Sequence, residues 1–217
     1  MARPRTFDVD AAARAARDVF WRRGYEATSL ADLEQATGLN RSSLYQAFDS
    51  KHGLFQAAVR QYLDEVATPR LAVLESPGAG LAALVAYLRQ FGEALRATRN
   101  TGIRGCMIVN AIAEVSDRDP WLREYGAEYR TRILDALTGA LRTAAGHGEI
   151  APERTDQRAR TITAVVMGAL VTAHLDARQA AEILEDTADE VETWRIRRSA
   201  QAGLEPEPVR SHHSEFR

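Results

Sequence analysis

One cysteine among 217 residues excludes an intrachain disulfide framework, so the fold must rest on packing. Long apolar runs are also missing. The longest, Ala164 to Ala173, is interrupted by Gly168 and Thr172 and is too short to cross a bilayer; it reads as a buried or interface helix. There is no sustained period-two alternation, which argues against sheet, and no internal repeat. Glycine-rich phosphate loops, Gly-x-Ser-x-Gly and His-Glu-x-x-His are all absent. The five histidines are scattered and none lies near Cys106 in sequence, so neither an enzyme nor a metal or cofactor site is expected. Met1-Ala-Arg-Pro-Arg-Thr carries two arginines with no apolar stretch after them, so no secretory leader is expected, and a cytoplasmic location follows by elimination.

The residues that are present describe a globular helical chain. It is 45% hydrophobic and 27% charged, and Ala, Leu, Arg and Glu dominate. A net charge of −2 hides a gradient: residues 1–60 hold nine basic against seven acidic side chains, leaving the remainder acidic. A slightly basic front suits contact with a polyanion through one end.

Helix signals begin at Asp8, an N-cap preceded by Phe7 as a staple candidate. Val9, Ala12, Ala13, Ala16, Val19 and Phe20 keep three-four spacing up to a stop at Gly24. Thr28 or Ser29 caps a short second helix ending near Thr37, Gly38 breaks it, and a third runs from about Arg41 to Phe48. A long fourth helix is expected over about 51–75, then a linker at 76–80. Further helices are expected at about 81–97, 105–117, 120–145, 156–175 and 178–199. The predicted organisation is all-α: a small front unit over residues 1–50, a larger helical unit over 51–202, and a disordered tail over 203–217.

Three helices in the first fifty residues, the last two joined by a glycine-containing turn, fit a helix-turn-helix. Leu30, Leu33 and Ala36 are expected to face the core, with Leu39, Leu44 and Phe48 locking the third helix. That leaves Arg41, Ser42, Ser43, Tyr45, Gln46 and Ala47 toward a duplex, with Arg41 able to read guanine or hold a phosphate and Tyr45 and Lys51 able to hold the backbone.

At this point the chain resembles the TetR family of bacterial regulators. The match runs through Gly24-Tyr25-Glu26-Ala27-Thr28-Ser29-Leu30, Ala36-Thr37-Gly38-Leu39, Ser43-Leu44-Tyr45 and Phe48-Asp49-Ser50-Lys51, with Leu54 following. The resemblance implies a homodimer, an all-helical ligand domain, and contacts to a double-stranded DNA operator from Thr28, Arg41, Ser42, Ser43, Tyr45 and Lys51. It implies a repressor released by a small-molecule effector, with an activator, or a regulator answering to a protein, as the alternative.

The same resemblance places the dimer contact on the last two long helices. Ile162, Val165, Val166, Ala169, Leu170 and Ala173 form a wide apolar face on the first, and Ala180, Ile183, Leu184, Thr187, Val191 and Trp194 continue it on the second. This face is expected between copies, the alternative being packing within one chain. The central helices would enclose the effector, with Tyr62, Tyr87, Phe91, Trp121, Tyr125 and Tyr129 as candidate walls and Asn110 as a polar handle. Arg104-Gly105-Cys106-Met107-Ile108-Val109-Asn110 looks like the Gly-Cys…Asn motif of one branch of the family, some of whose members sense electrophiles. Cys106 in a first helical turn near Arg104 could be a reactive thiolate; a small core residue is the plainer reading.

Overall fold

The structure is a computed structural model that describes residues 8–98 and 105–196, and every regular element within them is helical. Phe7, Arg104 and the tail expected at 203–217 lie outside the described residues.

Helix α1, Val9–Arg23, starts where the Asp8 carboxylate accepts the N–H groups of Asp10 and Ala11, both at 3.0 Å. Its predicted stripe is buried from Ala12 to Phe20, joined by Trp21. Gly24, at φ +82°, ends it by returning its N–H to the Phe20 carbonyl. Helix α2, Leu30–Thr37, begins with a reciprocal cap: Ser29 accepts from Asp32 N–H while the Asp32 carboxylate accepts from Ser29 N–H at 2.9 Å. Helix α3, Arg41–Phe48, is capped by Asn40, whose side-chain oxygen accepts the Ser43 N–H at 2.9 Å.

The expected long fourth helix is interrupted. Helix α4 covers Lys51–Tyr62, a π-helical turn takes Leu63–Ala67, and α5 resumes over Thr68–Glu75. The cause is Pro69, which cannot donate to the Glu65 carbonyl one turn back and would crowd it, so the backbone widens upstream. Glu65 still ties this stretch to α1 by accepting from Arg14 and Arg17 at 3.1 and 2.8 Å.

After the 76–80 turn come α6 (Leu81–Ala97), α7 (Met107–Val115), α8 (Pro120–Gly146), α9 (Thr155–Leu175) and α10 (Ala177–Thr193). Helix α6 packs mainly on α10, α9 lies between α8 and α10, α5 bridges α6 and α8, and α4 rests on α1. The core is continuous from front to back, since Phe20 meets Phe55 edge-on at 5.2 Å and Trp21 meets Tyr62 edge-on at 4.8 Å.

The apolar face expected between copies is largely internal. Ile162, Val166, Ala169, Leu170 and Ala173 are buried within the chain, as are Ala180, Leu184 and Val191. The three-four periodicity is present, but it belongs to the side turned toward α7, α8 and α6. What α9 leaves outside is a strip through Ala164, Gly168, Val171 and Leu175, the last two 55% and 85% exposed, flanked by half-buried Val165, Ile183, Thr187 and Trp194.

Candidate nucleic-acid interface and sensory domain

The expected reading helix is pinned from one side and open on the other. Leu44 and Phe48 of α3 and Leu33 of α2 are buried, while Arg41, Ser42, Tyr45 and Gln46 face solvent and Ser43 is half-buried. Gly38, in the left-handed region at φ +68°, makes the turn between the two helices. Two positions differ from expectation. Ala36 is exposed and Ala47 half-buried, because α2 and α3 are only two turns long and bury one or two side chains each.

Tyr45 keeps 37% of its surface exposed, with the Arg41 guanidinium 5.6 Å from its ring centre. Lys51 holds its ammonium 4.5 Å from the centre of the Tyr25 ring at the start of α4. That start is tightly built: Ser50 accepts the Gly53 N–H at 2.9 Å, and a side chain at Gly53 would fall on the Phe48 carbonyl oxygen.

Thr28, expected among the contacts to DNA, is 1% exposed, and its hydroxyl donates to the Gly24 carbonyl at 2.6 Å. Ser29 is the cap, and Thr28 closes the turn from α1 to α2 from inside. The structure therefore removes Thr28 from the surface set.

Sequence reading missed the joint between the two ends of the molecule. The Glu114 carboxylate, near the end of α7, accepts the backbone N–H groups of Tyr25 and Glu26 at 2.9 and 2.8 Å. Trp21 donates its indole N–H to the Gly105 carbonyl at 3.2 Å, and His52 Nε2 lies 2.8 Å from Asp119 Oδ2 in the turn before α8. The available signal was composition: Glu114 is the only charged residue in an otherwise apolar or neutral helix.

The candidates for the effector separate into three places. Tyr62, Tyr87, Phe91, Cys106 and Tyr129 are buried together in the middle of the larger helical bundle. Burial, then the neighbouring Cys106, raises the Tyr62 phenol well above its ordinary range, with Cys106 and Arg70 the polar groups beside its hydroxyl. Arg70 reaches this group with its guanidinium 5.1 Å from the centre of Phe91. Trp121 and Tyr125, expected to face the cavity, instead stack on each other at 4.7 Å along the seam of α4 and α8, half-buried, with Arg60 over the indole. The buried face of α8 runs through Leu122, Tyr129, Ile133, Leu137 and Leu141, so the aromatics of its first two turns face α4 instead. Asn110 lines a different cavity of about 540 Å³ at the joint of α1, α7 and α9, together with Trp21, Tyr25, Phe55 and Met107.

A short two-helix reader on α1, joined to a larger helical bundle by α4 and α7, defines the class: a helix-turn-helix regulator with a helical C-terminal domain. Residues 13–58 match bacterial regulatory proteins of the tetR family, and residues 80–187 match the tetracyclin repressor-like C-terminal domain. The HTH-type transcriptional regulator YezE of Bacillus subtilis (strain 168) is 33% identical over 156 residues, covering 72% of this chain and 79% of YezE. The HTH-type transcriptional repressor ComR of Escherichia coli (strain K12) is 38% identical over 115 residues, 52% of this chain and 54% of ComR. Among solved structures, a double cysteine variant of the TetR-family regulator CifR, complexed with 26-base-pair operator DNA, superposes with a TM-score of 0.72. It shares 31% identity and covers 88% of this chain and 98% of its own. The chain belongs to the TetR family of transcriptional regulators.

Proposed function

We propose that this protein is a ligand-responsive repressor that binds a palindromic operator as a homodimer and lets go when a small molecule enters the helical domain. The reading head extends through residue 50 and the ligand-binding and dimerisation domain over 51–202, working in the cytoplasm. One observation carries this reading: α3 turns a row of hydrogen-bonding and basic side chains, Arg41, Ser42, Tyr45 and Gln46, to solvent while Leu44 and Phe48 lock its other side. With Ser43 and Lys51 they form the proposed contact set. Small Ser42 and Ser43 let the helix approach base edges, and Arg41 and Lys51 meet phosphates or guanine.

Pairing of two copies is supported by the strip on α9. Burying the exposed parts of Val171 and Leu175 is worth roughly 1–2 kcal/mol each, which a symmetric partner would supply. Two heads then face successive major grooves. Effector entry between the central helices moves α7 and α8, and the Glu114 and His52–Asp119 contacts pass that movement to the head. A ligand needs only to prefer the splayed state by a few kcal/mol.

The alternative of a thiol sensor through Cys106 is weakened by its burial at 1% exposure, which favours a packing role. The test is titration of the purified protein with DNA from upstream of its own gene at several salt concentrations. The expected result is a saturable complex that weakens steeply with salt; no complex at any concentration would remove the repressor reading.

A further inference from the structure

The cavity at the joint is separate from the buried tyrosine group, and nothing in the proposed mechanism uses it. It measures about 540 Å³, within the range that encloses small organic molecules. Its walls are Trp21, Tyr25 and Phe55 from the front of the molecule and Met107 from α7. Five polar side chains edge it: Arg22, Arg23, Asn110, Glu114 and His174. Arg22 is exposed and makes no ion pair among the described residues, and His174, near the end of α9, is exposed as well. The other arginine in the lining, Arg23, is paired with Asp32. The one carboxylate in the lining, Glu114, has both oxygens committed to the Tyr25 and Glu26 N–H groups. An aromatic and thioether interior with an uncommitted guanidinium at the mouth selects a molecule with a flat apolar body and one negative group.

The geometry points to a second small-molecule site here, one that takes amphipathic aromatic anions such as aryl carboxylates and sulfonates. It goes beyond effector entry into the central helices, because it lies where head and sensory domain meet. An occupant touches Trp21 and Tyr25 of one and Met107 of the other, so it bears directly on the joint. Val171 and Leu175 border the same cavity, and pairing of copies along α9 would enclose it further.

The test uses the full-length protein without DNA, so its result is readable whatever the operator experiment gives. The probes are 8-anilinonaphthalene-1-sulfonate and its neutral relative N-phenyl-1-naphthylamine, which keeps the rings and lacks the charge. The sulfonate is expected to bind once per chain. Arg22→Ala should weaken it about ten-fold while leaving the neutral probe unchanged. Ala113→Trp, at an exposed position of the lining, should block both probes without disturbing the core. Equal affinity for the two probes, or sulfonate binding that neither substitution alters, overturns the site. So does binding by a Gly168→Arg monomer and not by the wild-type dimer, which would give the cavity to the partner copy.

Discussion

Tyr45 and Thr28 show how two hydroxyl residues of the head divide their work. Tyr45 leaves 37% of its surface in water beside Arg41, an arrangement with no use in the core. Tyr45→Ala should lower operator affinity about ten-fold or more, with the melting temperature moved by no more than about 2 °C, as read by binding titration and thermal unfolding. A large loss of stability instead would return Tyr45 to the core. Thr28 behaves in the opposite way because its hydroxyl is spent on the Gly24 carbonyl. Thr28→Val keeps the shape and removes the bond, so it should cost about 1 kcal/mol in denaturant unfolding, and any loss of DNA binding should track that cost. From sequence, Tyr45 was readable as an aromatic where a short helix has no core to fill. Thr28 was not, since two adjacent hydroxyl residues before a helix fit a cap equally well, and only the folded turn chooses Ser29.

Among the elements, α2 depends most on its cap. At eight residues it is too short to be stable alone, and the Ser29–Asp32 pair satisfies two of the N–H groups at its start, those of Ser29 and Asp32. Hydrogen bonds from Ser29, then the Arg23 guanidinium, hold the Asp32 carboxyl at about 2, below the ordinary carboxylate value. The folded pKa is depressed, so the stabilisation is fully present above about pH 4 and fades as pH falls toward 2. Asp32→Asn should therefore be less stable than wild type at pH 7, and the gap should narrow between pH 4 and 2; a gap independent of pH would show that the charge contributes nothing. The long helix expected over 51–75 was legible in its length and apolar spacing. Its π-helical turn was not, because Pro69 near a helix interior permits a kink, a break or a widened turn, and packing of Glu65 on Arg14 and Arg17 chooses among them.

Across the whole molecule, the head is held by a few polar bonds laid over a continuous apolar core. Glu114→Ala removes the acceptor for two backbone amides, and hydrogen exchange at Tyr25 and Glu26 should accelerate about ten-fold while α4 stays protected. Unchanged exchange would mean that Glu114 carries no load between the domains. The strip on α9 offers a second test. A side chain built at Gly168 meets nothing within 4 Å, so Gly168→Arg leaves the single chain intact. It is expected to yield a monomer by light scattering, with operator affinity reduced at least about a hundred-fold, since each half-site would bind alone. A stable dimer with arginine at that position would place the pairing surface elsewhere.

Local order decided much of this protein in advance. Caps at Asp8, Ser29, Asn40 and Ser50, stops at Gly24 and Gly38, and three-four spacing are short-range rules, so the succession of helices and the outward row of α3 follow from neighbours in the chain. Which apolar face meets which partner is a long-range matter. Ile162, Val166 and Leu170 show the same spacing whether they pack inside one chain or between two, and only the fold turns them inward and leaves Val171 and Leu175 outside. The bond from Glu114 to the Tyr25 and Glu26 amides and the cavity beside it join residues far apart in sequence. No local pattern encodes such a meeting, because it exists only once α1, α7 and α9 have packed together.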